Sequence, residues 1–352
     1  GDSTVTQSGN LTLVGGLYIS AVQSVALNGT ISTGGSQNYL ANVTLVGDAN
    51  LQASGTVLSP NYAAPSLVGN LDTSGSASCV TLSSDGEYAF VADGLDGLEI
   101  IDVQDPANPA RAGGYDTSGG GRAVTLSSDG NYAFVADMGA GLQILNVSNV
   151  ANPTPAGNLG TGAMAYGVTL SSDGQYAFVA DGLDGLAVIN VSNVAAPTPA
   201  GSLDTSGTAH QVVLSSDGNY AFVADDASGL QIIDVSNVSN PQPAGNLDTI
   251  GNAYGVTLSP DGKYAFVADG GSGLQIIDVS NVSNPTPAGN LDTVGTAHGV
   301  TLSSDGQYAF VADINNGLQI VDVSNVADPQ PAGNLSPGGT ALEVAVSTDG
   351  QF

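Results

Sequence analysis

Residues 253–296 read AYGVTLSPDGKYAFVADGGSGLQIIDVSNVSNPTPAGNLDTVGT, and the order of apolar runs and turn signals in this stretch decides the fold. VTLS is a short β-rich run, DG is the favoured two-residue hairpin turn, and KYAFVAD is a second run. GGSG then makes a turn, LQIIDVS is a third run, and NVSNPTP connects to a weaker fourth, AGNLDT. Proline there suits an edge strand, where a missing N–H donor costs least. No window keeps a helical apolar spacing over the roughly ten residues a helix needs. Four antiparallel strands, A to D from the axis outward, form the blade of a β-propeller. Tyr264-Ala265-Phe266-Val267-Ala268 is apolar without alternation, as expected of a strand covered on both faces by neighbouring blades.

The unit recurs. Its Asp-Gly turn places Asp85, Asp129, Asp173, Asp217, Asp261, Asp305 and Asp349 at intervals of 44 residues, a period in the propeller range. A-type stretches occur seven times, ending with ALEVAVS at 341–347, and D-type stretches seven times, beginning with PSLVGNLDT at 65–73; B and C occur six times. The expectation is an all-β, seven-bladed propeller over residues 61–352 with an incomplete last blade, preceded by a β-strand-rich segment, 1–60. Either the missing strands follow Phe352 in a longer chain, or another segment supplies them.

GLEIIDVQDPANP at 97–109, GLQIIDVSNVSNP at 273–285 and GLQIVDVSNVADP at 317–329 resemble the LVIVD repeat of bacterial and archaeal surface proteins. The resemblance spans about residues 65–352. It implies a propeller on a secreted or surface-anchored protein and carries no general catalytic activity. At 26–45, ALNGTISTGGSQNYLANVTL resembles the β-helical repeats of filamentous-haemagglutinin-like adhesins. Residues 1–60 are thus expected to be solenoid-like, or to donate strands to an open blade edge; donation in trans would build a head-to-tail fibre.

Composition narrows the partners. The net charge is −29 because only Arg111, Arg122 and Lys263 oppose 32 acidic residues. Such a surface repels nucleic acid and anionic membranes. No apolar run approaches the 18 to 20 residues, roughly, that span a bilayer. Cys79 is the single cysteine, so no intrachain disulfide forms.

Comparison among the repeats points to a site. Most positions are nearly constant, yet the residue before strand A reads Ser78, Arg122, Tyr166, His210, Tyr254, His298 and Leu342. Both histidines and one of three basic residues share this register, which propeller topology places around one mouth of the axial channel. Arg122, Tyr166, His210, Tyr254 and His298 are the candidate ligand-binding ring, or else they plug the channel. The B–C loops on the same face also vary. Their leading aspartates, Asp93, Asp137, Asp181, Asp225, Asp269 and Asp313, suggest calcium, but one or two carboxylates per loop fall short of the six to eight oxygens calcium prefers. They are read as Asp side chains bonding their own turn backbones. No metal, cofactor or catalytic residue is therefore assigned.

The leading expectation is a non-enzymatic extracellular protein, structural or adhesive, associating with itself or with other surface proteins or glycans. A glycan- or protein-binding propeller using the channel mouth is the alternative, and a propeller-type hydrolase a weaker one.

Overall fold

The computed structural model describes residues 65–337 and 340–347, together with the backbone of seven short strands between residues 11 and 53. Contacts divide the chain into Gly1–Asn61 and Tyr62–Phe352. In the first unit the strands pair in parallel: Leu11 lies opposite Ile31 and Ile31 opposite Leu51, one rung per 20 residues. Tyr18–Ile19 pairs with Asn38–Tyr39, and Val25–Leu27 with Val43–Leu45, in the same sense. The side chains and loops on which the adhesin resemblance and strand donation depend lie outside the described residues.

The second unit holds six four-stranded antiparallel blades, spanning 79–115, 123–159, 167–203, 211–247, 255–291 and 297–335, each with strand order A-B-C-D. Blade 4 is typical, with A at Gln211–Leu214, B at Tyr220–Ala224, C at Leu230–Asp234 and D at Gln242–Leu247. The propeller is thus six-bladed, and the expectation of seven blades is corrected. Residues 65–73 and 341–347 form no strand, because a strand exists by its ladder and neither stretch has a B or C strand of its own to pair with. The strand-complemented fibre falls with it, since all six blades carry four strands from their own repeat.

The core lies between blades. Phe222, Ala224, Leu230 and Ile232 of blade 4 pack on Ala253, Val256, Ala265, Val267 and Ile277 of repeat 5, and the same set recurs between blades 1 and 2, 2 and 3, 3 and 4, and 5 and 6. This two-sided burial explains the continuous apolar YAFVA runs. Strand D carries a register shift in every blade, as where Gly245 and Pro243 face Ile232 and Ile233. The bulge admits proline on the outer edge in blades 2 to 6. Gly245 is required because a Cβ there would collide with the Val282 carbonyl of the next blade's C–D connection.

The Asp-Gly turn is longer than a two-residue hairpin. In blade 1, strand A ends at Leu82 and B begins at Tyr88, the Gly86 N–H bonds the Ser83 carbonyl at 2.9 Å, and Gly86 takes a φ of 73°. Ser83 Oγ donates to Asp85 Oδ1 at 2.6 Å. That hydroxyl, followed by the Glu87 N–H, holds the Asp85 carboxyl below its usual range.

The loop aspartates do a different job from the one expected. All six are 0% exposed. Rather than bonding chiefly to their own turns, they accept from a threonine 20 residues earlier, as in Thr117 to Asp137, Thr205 to Asp225 and Thr249 to Asp269, at 2.5 to 2.8 Å across the six. In blades 1, 2, 4 and 5 the second carboxylate oxygen accepts a glycine N–H from the same upstream segment. Each bond ties the end of one repeat's D stretch to the next blade's B–C loop.

Candidate functional site

Two backbone contacts fix the variable register at Arg122, Tyr166, His210 and Tyr254. The His210 N–H bonds Ala224 O of its own blade at 2.8 Å, and the preceding Ala209 N–H bonds Gly182 O of blade 3 at 2.9 Å. Ser78, Arg122, Tyr166 and Tyr254 are anchored to their own B strands in the same way. The sequence makes this frame constant because every blade meets the same neighbour, leaving the side chain at one position free to vary.

The structure brings all five expected residues together. Arg122 lies 5.7 Å from the Tyr166 ring centre. Tyr166 and His210 are 5.2 Å apart, His210 and Tyr254 5.0 Å, and Tyr254 and His298 5.1 Å. The arc extends at both ends: Arg122 Nη1 donates to Ser78 Oγ at 3.4 Å, and His298 Nδ1 lies 3.0 Å from Leu342 O. Arg122, both tyrosines and both histidines are half-buried, and the ring pairs are tilted at Tyr166–His210, edge-to-face at His210–Tyr254 and stacked at Tyr254–His298. The exposed Met164 and Asn252, from the connections entering blades 3 and 5, bond the hydroxyls of Tyr166 and Tyr254 at 3.3 and 3.4 Å.

Burial depresses the His210 imidazole to about 4, opposed by the Asp226 carboxylate and reinforced by His298 and Arg122. Burial also lowers His298, against the Leu342 carbonyl. Both rings are therefore neutral near pH 7, presenting flat faces and one acceptor nitrogen each.

Below the ring, the next register of strand A reads Cys79, Ala123, Gly167, Gln211, Gly255, Gly299 and Glu343. A cavity of about 390 Å³ runs beside the A strands, lined by Val80, Leu82, Gln211, Val256, Val300 and Glu343 among others. Gln211 Oε1 accepts the Val256 N–H of the next blade at 2.6 Å. Burial pushes the Cys79 thiol up to about 12, with help from Glu343, and raises the Glu343 carboxyl to about 7. The Cys79 thiol is therefore not poised for nucleophilic work at neutral pH.

Asp226 escaped the reading of the sequence. It occupies the B–C loop position held elsewhere by Gly94, Met138, Gly182 and Gly270, all with left-handed φ, and takes a φ of 49° itself. A Cβ built on Gly182 falls 3.3 Å from the Tyr166 ring, and one on Gly270 falls 3.4 Å from Tyr254. The equivalent Cβ of Asp226 is thereby directed at His210. Aligning the six loops separates Gly94, Gly182 and Gly270 from Met138, Asp226 and Ile314, and of these three Asp226 alone is ionisable. Among the described residues no cluster of histidine, cysteine or carboxylate side chains is arranged to hold a metal, and no helix is long and apolar enough to cross a membrane.

A family model described as the LVIVD repeat matches residues 74–117, 120–161, 164–205, 206–249, 250–293 and 294–336. It does not reach residues 1–60, so the adhesin resemblance there gains no support. No curated protein matches the chain. Among solved structures, the periplasmic gluconolactonase of Pseudomonas aeruginosa is similar with a TM-score of 0.66 and 20% identity, over 78% of this chain and 88% of that one. A putative 6-phosphogluconolactonase from Bacteroides uniformis gives 0.61 and 15%, over 75% and 85%. Hydrazine synthase of Kuenenia stuttgartiensis gives 0.63 and 18%, over 81% and 93%. At these identities the likeness shows the fold alone. It includes propellers named as lactonases, so the expected structural or adhesive role, which nothing in these matches supports, is set aside.

Proposed function

Because the chain belongs to the LVIVD-repeat family, with six repeats spanning residues 74–336, we propose that its constant propeller frame presents one receptor site, a carbohydrate-binding mouth formed by Arg122, Tyr166, His210, Tyr254 and His298. The observation that carries this reading is the unbroken succession of four aromatic rings at 5.0 to 5.2 Å on rigidly anchored backbone. Sugars have one face rich in C–H groups and a rim of hydroxyls. The former packs on aromatic faces, and the latter bonds to phenol, imidazole and carboxylate groups at their edges. Rigid rings also lose little freedom on binding. Titrating a panel of free hexoses into the wild type and the Tyr166→Ala/Tyr254→Ala double variant tests it. Saturable binding that disappears in the variant, with its circular dichroism unchanged, is expected; equal binding by both proteins would sink the reading.

A second reading has one observation in its favour. The neutral His210, with Asp226 beside it and Arg122 further along the arc, resembles a base and an electrophile placed to add water to a cyclic ester. His210 would take a proton from water attacking the carbonyl carbon, Arg122 would steady the oxyanion, and the proton would pass to the ring oxygen as the ester bond breaks. An imidazole depressed to about 4 is a weak base, which places this reading second. Hydrolysis of gluconolactone above its spontaneous rate, abolished by His210→Asn, would promote it.

A further inference from the structure

The mouth holds two charged groups left unmatched among the described residues. Of the three basic side chains, Arg111 pairs with Glu99 at 2.7 Å and Lys263 with Asp261 at 2.8 Å. Arg122 forms no ion pair among the described residues. Among the described residues it meets the Tyr166 face and, at 3.4 Å, the Ser78 hydroxyl, so most of its five donors remain for a ligand. In a chain of net charge −29, a cation left unpaired among so many carboxylates is informative: a neutral sugar has no need of it, whereas an anionic one cannot be held without it.

Asp226 is the second group. Its Oδ1 is buried and has no hydrogen-bond partner, a situation that costs about 1–3 kcal/mol or more for a charged acceptor. It also sits in the left-handed backbone region, where glycine stands in blades 1, 3 and 5. Reciprocal backbone bonds with Ala253 at 3.0 and 2.9 Å hold it at the seam between blades 4 and 5. Strain and an unmet acceptor together at a candidate site point to a ligand that supplies the missing donor.

From these two ends we infer that the ligand is a sugar acid, a pyranose bearing a carboxylate, with the carboxylate on the Arg122 guanidinium and a hydroxyl donating to Asp226 Oδ1. The inference rests on the carbohydrate reading above and names its substrate class. Tyr166 and His210 lie between the two poles in blade order and supply the faces on which the sugar ring packs. The planar guanidinium fits a carboxylate through two parallel N–H bonds, which gives the seat a direction as well as strength. A ligand with an ammonium group, drawn instead to Asp226 and the aromatic faces, would make the opposite demand on Arg122.

Calorimetric titration at pH 7 with D-glucuronate, D-glucose and D-glucosamine separates these cases, using wild type, Arg122→Gln and Asp226→Asn, each checked for fold by circular dichroism. Glucuronate is expected to bind wild type about tenfold tighter than glucose. Arg122→Gln should weaken glucuronate about tenfold more than it weakens glucose and so erase that preference, and Asp226→Asn should weaken both sugars by a similar factor of about ten. Equal affinities for glucuronate and glucose, or tightest binding of glucosamine with Arg122→Gln silent, would overturn the sugar-acid inference and leave a carbohydrate site standing. If none of the three sugars binds, the carbohydrate reading itself fails.

Discussion

Replacing Thr205 by Val keeps the shape of the side chain and removes one hydroxyl proton, and its effect is set by where that proton goes. Thr205 Oγ1 donates to Asp225 Oδ1 at 2.6 Å, with Thr205 7% and Asp225 0% exposed. The carboxylate keeps only the Gly207 N–H at 3.0 Å on its other oxygen. Loss of a buried hydrogen bond to a charged acceptor costs about 1.5–3 kcal/mol. An internal control exists. Ser236 Oγ donates to Asp234 Oδ1 at the same 2.6 Å, but there the pair is exposed and water replaces the donor, so Ser236→Ala should cost about 0.5–1 kcal/mol. The pH dependence follows from sign. Burial raises the Asp225 pKa and the Thr205 bond lowers it, so the bond stabilises the ionised form and the variant's carboxyl protonates more readily. The deficit of Thr205→Val is therefore full at pH 7 and shrinks as the pH falls and Asp225 takes up its proton. Urea unfolding of both variants at pH 7 and pH 4 measures this. A Thr205→Val cost within about 0.5 kcal/mol of zero at pH 7, or equal to that of Ser236→Ala, would refute the claim that these buried ties hold repeat to repeat.

Three further outcomes follow from the titrating groups. His210 has a folded pKa of about 4, below its ordinary 6.5, so the unfolded chain binds the proton first and stability falls as the pH drops from 6.5 toward 4; His210→Asn should flatten that limb of a melting-temperature profile. Glu343 behaves oppositely. Its folded pKa of about 7 exceeds 4.5, so wild type loses stability as the pH rises through this interval, and Glu343→Gln should be more stable than wild type at pH 8 and lose the slope. The Cys79 thiol, pushed to about 12 from 9, carries roughly a thousandfold less thiolate than an unperturbed cysteine. Iodoacetamide should leave it unmodified at pH 8 in the folded protein and alkylate it in urea.

What the sequence discloses depends on whether a signal is repeated or singular. The blade strands, the Asp-Gly turns and the edge prolines are legible because every copy meets the same neighbours, and the ring register stands out as the position where copies differ. Residues 65–73 and 341–347 lead the sequence to one blade too many. Both match the repeat by composition, but neither has the flanking strands that make a ladder, and composition does not report pairing. The link from Thr205 to Asp225 spans 20 residues and two repeats, so local turn chemistry was credited with work done by a neighbouring blade. Asp226 was hidden for another reason: among 32 acidic residues a single carboxylate draws no notice until the backbone shows it in a left-handed turn with an unpartnered oxygen.

The chain contains only two histidines, His210 and His298, and both belong to the ring. Imidazole signals in a proton–carbon correlation spectrum therefore report on the proposed site without assignment work or mutation. Titrating D-glucuronate at pH 7 should move both signals along one saturable curve, with a midpoint equal to the calorimetric dissociation constant. Calorimetric binding with both imidazole signals unmoved would place the ligand elsewhere and contradict a receptor site at this mouth.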